Sequence, residues 1–310
     1  MGVVDAQRQR LDRLCKKFRC PECRAGGLVR ESDEALRCVE CGQVFPVEGG
    51  VPFLFEAARI PAFLQADRER PKRRSPPRYA RQGEYHSREY RIERLLPRPG
   101  LAREVLLLGC GDASERGALI RLGYLPVAFD IKRSDGTDFL ADAHRVPLQD
   151  ASFDVVLSMQ VLEHLHSPWI AVAEVARVLR PGGWFVGSVA FLKPYHRSYF
   201  HMTHRGVAWL LKGAGLTVDV LVSAQSLTYA LYGSLLPLGP RPLRRRAGAL
   251  TDRLIASLRA RVWALRAARS PDEPATDETE PVPLSFRDFD RLRFSPVVVF
   301  RARKPAGESG

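Results

Sequence analysis

The sequence predicts an α/β chain: an open, doubly wound sheet of seven strands, preceded by a small module stapled by cysteines. Three observations carry this. Between Arg103 and Val189 short apolar runs alternate with helix-patterned stretches, the order that gives a parallel sheet with right-handed crossovers. The first of these runs, Val105 to Leu108, is apolar throughout and breaks into Gly109-Cys110-Gly111, as suits a strand covered on both faces. Ahead of it stand two C-x-x-C pairs, Cys20/Cys23 and Cys38/Cys41.

At 310 residues the chain has room for one large domain and a small one, and its 45% hydrophobic content excludes wholesale disorder. The net charge of +13 points to an anionic partner, although arginine-rich chains are also what a GC-rich genome produces. The first residues carry charge and no apolar core segment, so no secretory signal is expected, and Ala6 argues against myristoylation. No apolar run approaches the roughly 18 residues of a membrane span. A cytoplasmic location is therefore expected, where clustered cysteines read as metal ligands before disulfides.

Met1 to Phe18 is a charged lead-in with helical spacing at Leu11, Leu14 and Phe18. Cys20, Cys23, Cys38 and Cys41 have the spacing by which two knuckles converge on one tetrahedral ion. Four sulfurs close the site, so zinc there would be structural, replacing a core too short to form alone. The alternative is two unrelated thiol motifs. The run Val44-Phe45-Pro46-Val47-Glu48-Gly49-Gly50-Val51-Pro52-Phe53-Leu54 resembles the second knuckle of the small zinc-ribbon domain of the tRNA-methyltransferase-activator type, a likeness covering residues 18 to 56. The expected division is a zinc ribbon over 1–60, a basic linker with a lead-in helix (Ser87 to Leu96) over 61–100, and the sheet domain over 101–310. The linker run Arg68, Arg70, Lys72, Arg73, Arg74 reads as solvated or as phosphate-binding.

In the sheet domain, strands are expected at 104–108, 125–130, 137–141, 154–158, 184–189, 216–222 and 295–302, with helices at 115–122, 168–179 and 206–215. Arg180-Pro181-Gly182-Gly183 reads as the turn that closes a helix before the strand starting at Trp184. The second strand ends in Asp130, where a nucleotide-binding sheet puts the carboxylate that holds ribose hydroxyls. A dinucleotide site would want G-x-G-x-x-G, but Ser114 occupies the third position. A cofactor with ribose and adenine but no phosphate fits better, and S-adenosyl-L-methionine is such a cofactor. The competing reading is an ordinary strand–turn–helix with a buried Cys110.

The order Leu108-Gly109-Cys110-Gly111, Asp130, Asp142-Ala143 with Pro147, Ser152-Phe153-Asp154-Val155-Val156, Val161-Leu162-Glu163-His164-Leu165 and Leu179-Arg180-Pro181-Gly182-Gly183 resembles class I S-adenosylmethionine-dependent methyltransferases of the ubiquinone and menaquinone biosynthesis type. The likeness covers residues 100 to 220 and implies a Rossmann-like sheet. It implies that Gly109 and Gly111 face the methionine part, Asp130 the ribose, and Asp142 with the Ala143 backbone the adenine. Gln160 and Leu162 would line the methyl-transfer end. Leu107 stands where the family usually carries an acid, and Ala113 where it carries its third glycine. His164, His196 and His201 are the candidates for a general base, since imidazole titrates near working pH, against purely structural roles.

These features point to methyl transfer onto an oxygen or carbon of a small-molecule, lipid-linked or glycan-linked acceptor. The alternatives are RNA methylation and a non-catalytic scaffold. An insertion at about 225–290 contains a basic amphipathic stretch, Leu243 to Leu265, with Leu250, Leu254, Leu258 and Val262 on one face and Arg244, Arg245, Arg246, Arg253, Arg259 and Arg261 supplying charge. Such a helix can lie on an anionic membrane, here the inner face, or bind RNA. It can equally pack on its own domain. The sequence leaves the oligomeric state unknown.

Overall fold

The computed structural model describes residues 3–56, 95–98, 104–111, 114–192, 198–224 and 295–306, together with 250, 251, 254, 255, 257, 258 and 261. The linker run at 68–74, Asp112, Ala113, His196, Val262 and most of the expected insertion lie outside the described residues, as does all but the end of the Ser87–Leu96 helix, where Leu95 and Leu96 are buried. Two compact units emerge: residues 1–159, 167–186 and 304–310 in the first, and 160–166 with 187–303 in the second.

The first unit opens with helix α1 (Val3–Cys15), whose Leu11 and Leu14 are buried with Phe18. Strands β1 (Leu28–Arg30), β2 (Ala35–Cys38), β3 (Val44–Glu48) and β4 (Val51–Pro52) follow in an antiparallel four-stranded sheet. β3 alternates strictly, Phe45 and Val47 inward and Val44, Pro46 and Glu48 outward, the period-two pattern of a half-buried strand.

Then come β5 (Glu104–Leu108), α2 (Ser114–Arg121), β6 (Leu125–Asp130), β7 (Phe139–Leu140), β8 (Phe153–Met159) and α3 (Pro168–Val178). β5 pairs in parallel with β6 on one side and β8 on the other. The third strand is shorter than expected because its first residues are used elsewhere. Asp138 Oδ2 accepts from the Ala128 amide at 2.8 Å and from Arg116 at 2.6 Å, and Thr137 Oγ1 accepts from the Ser134 amide at 3.0 Å.

Strand β9 (Leu179–Ala190) starts at Leu179, ahead of the expected Trp184. The Pro181-Gly182-Gly183 stretch is strand rather than turn, since the Gly182 amide donates to Lys304 O at 3.0 Å and the Lys304 amide to Gly183 O at 2.9 Å. In the second unit, α4 (His204–Gly213) is capped by Thr203, whose hydroxyl accepts from the Gly206 amide at 3.0 Å. Strands β10 (Thr217–Ser223) and β11 (Val297–Arg303) run antiparallel, so the sheet is mixed and not wholly parallel. The order is β10-β11-β9-β8-β5-β6-β7. β11 sits inside the sheet with Val297 to Phe300 all buried, whereas β10 alternates as an edge strand does.

The cysteine module and the parallel strands share one core. Phe18 is fully buried and meets Phe139 edge-on at 5.2 Å, while Phe139 stacks on Phe129, also at 5.2 Å. The main chain is stitched as well: the Arg19 amide donates to Pro147 O at 3.1 Å and the Gln149 amide to Lys17 O at 2.9 Å. The Leu54 amide donates to Leu140 O at 2.8 Å, laying the exit from the cysteine module along β7. β7 ends the strand order, so this contact covers an edge that would otherwise expose unpaired amides.

Candidate cofactor crevice and cysteine centre

β5 is where the strand order reverses: the chain goes on to β6 and β7 on one side and returns to β8 on the other. Ligand crevices of open α/β sheets form at such a point, outside the carboxyl ends of the strands. β5 ends there in Gly109 and Gly111, which hold φ of 77° and 47°, values favouring residues without a Cβ. A Cβ added at Gly111 would meet no atom of the described residues within 4 Å, its chain neighbours aside. Asp130, at the end of β6, turns its carboxylate onto this loop: Oδ2 accepts from the amides of Cys110 at 3.1 Å and Gly111 at 3.4 Å, and Oδ1 from the Lys132 amide at 3.1 Å. A ribose-sized pair of hydroxyls at the turn would find an acceptor already oriented. Cys110 is buried below, its sulfur 3.1 Å from Thr137 Oγ1 and 3.2 Å from Ser134 Oγ, and burial raises its pKa. Its thiol is a packing and hydrogen-bonding group. Leu107 is buried between Ala128 of β6 and Leu157 of β8, an apolar slot in which an ionised acid would pay desolvation.

Past β7, Asp142 and Ala143 begin a tight turn. Asp142 Oδ1 accepts from the His144 amide at 2.9 Å and lies 2.6 Å from His144 Nδ1, while the Arg145 amide donates to Asp142 O at 3.0 Å. Of this group, Gly109, Gly111, Asp130, Asp142 and Ala143 all belong to the first unit. Gln160 and Leu162 belong to the second. Gln160 follows β8 in a left-handed conformation, φ 57°, with its amide donating to Ser188 O at 2.9 Å. Non-glycine residues held there cost of order 1–3 kcal/mol and concentrate at functional sites. Leu162 is fully buried at the start of a short 3-10 turn, Leu162–His164.

His164 and His201 are both exposed, and their segments are joined. The Phe200 amide donates to Glu163 O at 3.1 Å, and the fully buried Glu163 carboxylate accepts from the Ala190 amide at 3.0 Å. His196, the third candidate base, lies outside the described residues.

The four cysteines come together. Their sulfurs all lie within 4.8 Å of one another, with Cys20 to Cys41 at 3.8 Å and Cys23 to Cys38 at 3.7 Å. Four thiolates each about 2.3 Å from a tetrahedral ion stand about 3.8 Å apart, so the cluster fits one metal; a disulfide needs about 2.05 Å. The two knuckles are built alike. Arg24 donates its amide to Cys20 O at 3.0 Å and Gly42 to Cys38 O at 3.1 Å, and both residues have positive φ. Amides of Gly26 and Ala25 pull the Cys23 thiol down to about 6, whereas burial pushes Cys20 up to about 12. A cation among the sulfurs removes that penalty.

Sequence reasoning missed the polar seam that fastens the first knuckle to the turn at Asp142–Val146. Arg145 donates through Nε to Pro21 O and through Nη2 to Glu22 O, the latter at 2.8 Å. Glu174 of α3 accepts from Arg24 at 2.6 Å, from Arg177 at 2.8 Å and from the Val146 amide at 2.9 Å. The available signal was a Glu and an Arg three apart on an apolar helix, which marks a buried pair only once the partner knuckle is known.

Residues 106–187 match the family model described as a methyltransferase domain. That stretch, from β5 into β9, is thus similar to a methyltransferase domain. A Mycolicibacterium smegmatis protein named for S-adenosylmethionine-dependent methyl transfer is 31% identical over 138 residues, 38% of this chain and 53% of that protein. The 27-O-demethylrifamycin SV methyltransferase of Amycolatopsis mediterranei is 51% identical over 43 residues, 14% of this chain and 16% of its length. The chain thus spans about half or less of these relatives. Among solved structures, a complex containing the Haloferax volcanii Trm112 methyltransferase activator aligns at TM-score 0.45 and 18% identity, over 80% of this chain and 98% of that one.

Burial works to raise the Glu174 pKa, but hydrogen bonds from Arg177 and Arg24 outweigh it and hold it below the ordinary 4.5. A depressed carboxylate contributes its stability above its unfolded pKa and loses it as pH falls through the folded one. The first unit should therefore lose this share of its stability below about pH 4.5. Glu174→Gln should be less stable at neutral pH, with a shallower acid limb in urea titrations. Superposable acid limbs for the two proteins would contradict this role.

Proposed function

We propose that this chain transfers a methyl group from S-adenosyl-L-methionine to an oxygen or carbon acceptor on a small-molecule, lipid-linked or glycan-linked substrate. The observation that carries the reading is the Asp130 carboxylate turned onto the glycine loop at the strand reversal. The cofactor supplies a sulfonium-bound methyl that is already electrophilic. The chain's own work is to bind, orient and exclude water. Asp130 accepts from the ribose hydroxyls, Asp142 and the Ala143 backbone hold the adenine, and Gly109 and Gly111 make room for the methionine part. Gln160 and Leu162 lead to the methyl-transfer end. His164, His196 and His201 are the residues to test as base where the acceptor is protonated at neutral pH. A relative named for a rifamycin substrate supports a small-molecule acceptor.

Asp130→Asn should keep the fold by circular dichroism and weaken S-adenosylmethionine binding about 10- to 100-fold in calorimetry, the loss of a charged hydrogen-bond acceptor. Native protein that binds neither the cofactor nor its demethylated product would leave the scaffold reading.

The reading assigns zinc to Cys20, Cys23, Cys38 and Cys41, as a structural ion. Purified protein should carry one zinc per chain, and Cys38→Ser should lose both the metal and several degrees of thermal midpoint. Equal stability with no bound metal would refute the assignment.

For a partner surface, Leu250, Leu254, Ile255 and Leu258 are 60%, 58%, 41% and 61% exposed in helical conformation. Beside the arginines of that stretch they favour an anionic membrane over RNA, because phosphate contacts gain nothing from bare leucines. Sedimentation with anionic vesicles should be salt-sensitive and fall about tenfold in Leu254→Glu. Tight RNA binding without vesicle binding would favour RNA methylation instead.

A further inference from the structure

We propose that His144 is a positioning residue for the adenine of the cofactor, holding the Asp142 carboxylate in the plane that reads the exocyclic amine. The inference rests on the proposed cofactor reading and deepens it. Its basis is a proton assignment that the hydrogen bonds dictate. The Ser167 backbone amide, always a donor, points at His144 Nε2 at 3.3 Å. Nε2 must then be unprotonated, so the proton sits on Nδ1 and is donated to Asp142 Oδ1 at 2.6 Å. The same oxygen accepts from the His144 amide at 2.9 Å.

Two donors on one oxygen fix both the position and the rotation of the carboxylate. The imidazole is buried, 6% exposed, so water does not compete with either bond. Its far nitrogen is tied to Ser167, the residue that caps the start of α3 (Pro168–Val178) without using its own side chain. A loop carboxylate is thereby braced against the first turn of a packed helix. An acceptor so placed favours adenine, whose amine donates, over hypoxanthine, whose oxygen would face it.

The two ring nitrogens can be tested separately. Asparagine places an amide donor near the position of Nδ1, and glutamine places an amide oxygen near the position of Nε2. His144→Asn should keep the Asp142 bond and bind S-adenosylhomocysteine within about threefold of the native protein. His144→Gln should keep the Ser167 bond and bind about tenfold more weakly, the worth of one hydrogen bond to a charged group. The deciding readout is discrimination between S-adenosylhomocysteine and S-inosylhomocysteine, by calorimetry. The native protein and His144→Asn should prefer the adenine compound, and His144→Gln should lose most of that preference. If both variants weaken together and keep the native preference, or if neither weakens, His144 is only structural and the inference is overturned. If the native protein binds neither compound, the cofactor reading itself falls, a result distinct from any difference among the variants.

Discussion

Parallel pairing of β5 on both sides is the constraint from which the crevice follows. A strand with parallel neighbours on each flank must be reached by crossovers. β6 shares that pairing, but only β5 has one flank filled by the next strand of the chain and the other by a strand that returns later, the reversal at which crevices form. Such a strand must also be apolar on both faces, which is why Val105 to Leu108 are all buried and why an acid at position 107 would be out of place. The glycines take over where the sheet ends. Asp130, one strand away, is brought beside them by the register that sets Leu108 opposite Phe129.

Charge holds the cysteine module to this framework as much as apolar packing does. Glu174 is buried, and an isolated buried carboxylate would be costly; here Arg24 and Arg177 and one backbone amide share it. Removing one partner of such a group strands the others and typically costs 3–5 kcal/mol, more than the intact pair contributes. The arrangement therefore specifies which face of the module meets the sheet more than it adds to stability. A second cluster repeats the pattern, with Lys17 and Arg180 on Glu104 at 2.9 and 2.7 Å.

What could be read in the sequence was what chemistry forces to be local. Two cysteine pairs declare a four-sulfur cluster because a knuckle needs its sulfurs three residues apart, and the glycine turn and Asp130 declare themselves by composition and spacing. β9 was misjudged at its start because Pro-Gly-Gly usually ends a helix; only Lys304, more than a hundred residues on, makes it a strand. β11 was placed within two residues, but its antiparallel sense depends on pairing with β10 that no local pattern encodes. His144, Arg145 and Glu174 were invisible for the same reason. Each looks like an ordinary loop or helix residue until its distant partner is known.

The turn at Asp142–Val146 is where these threads meet. Within it His144 ties Asp142 to Ser167 at the start of α3, Arg145 grips the carbonyls of the first cysteine knuckle, and Val146 donates to Glu174. Adjacent residues of one turn are thus tied to one another, to a helix and to the cysteine module. A turn fixed from so many sides loses little further freedom when a ligand binds, and that saving in ordering cost goes directly into affinity. Side-chain entropy alone makes the point: a carboxylate on a free loop must be immobilised at binding, whereas Asp142 has been immobilised by folding.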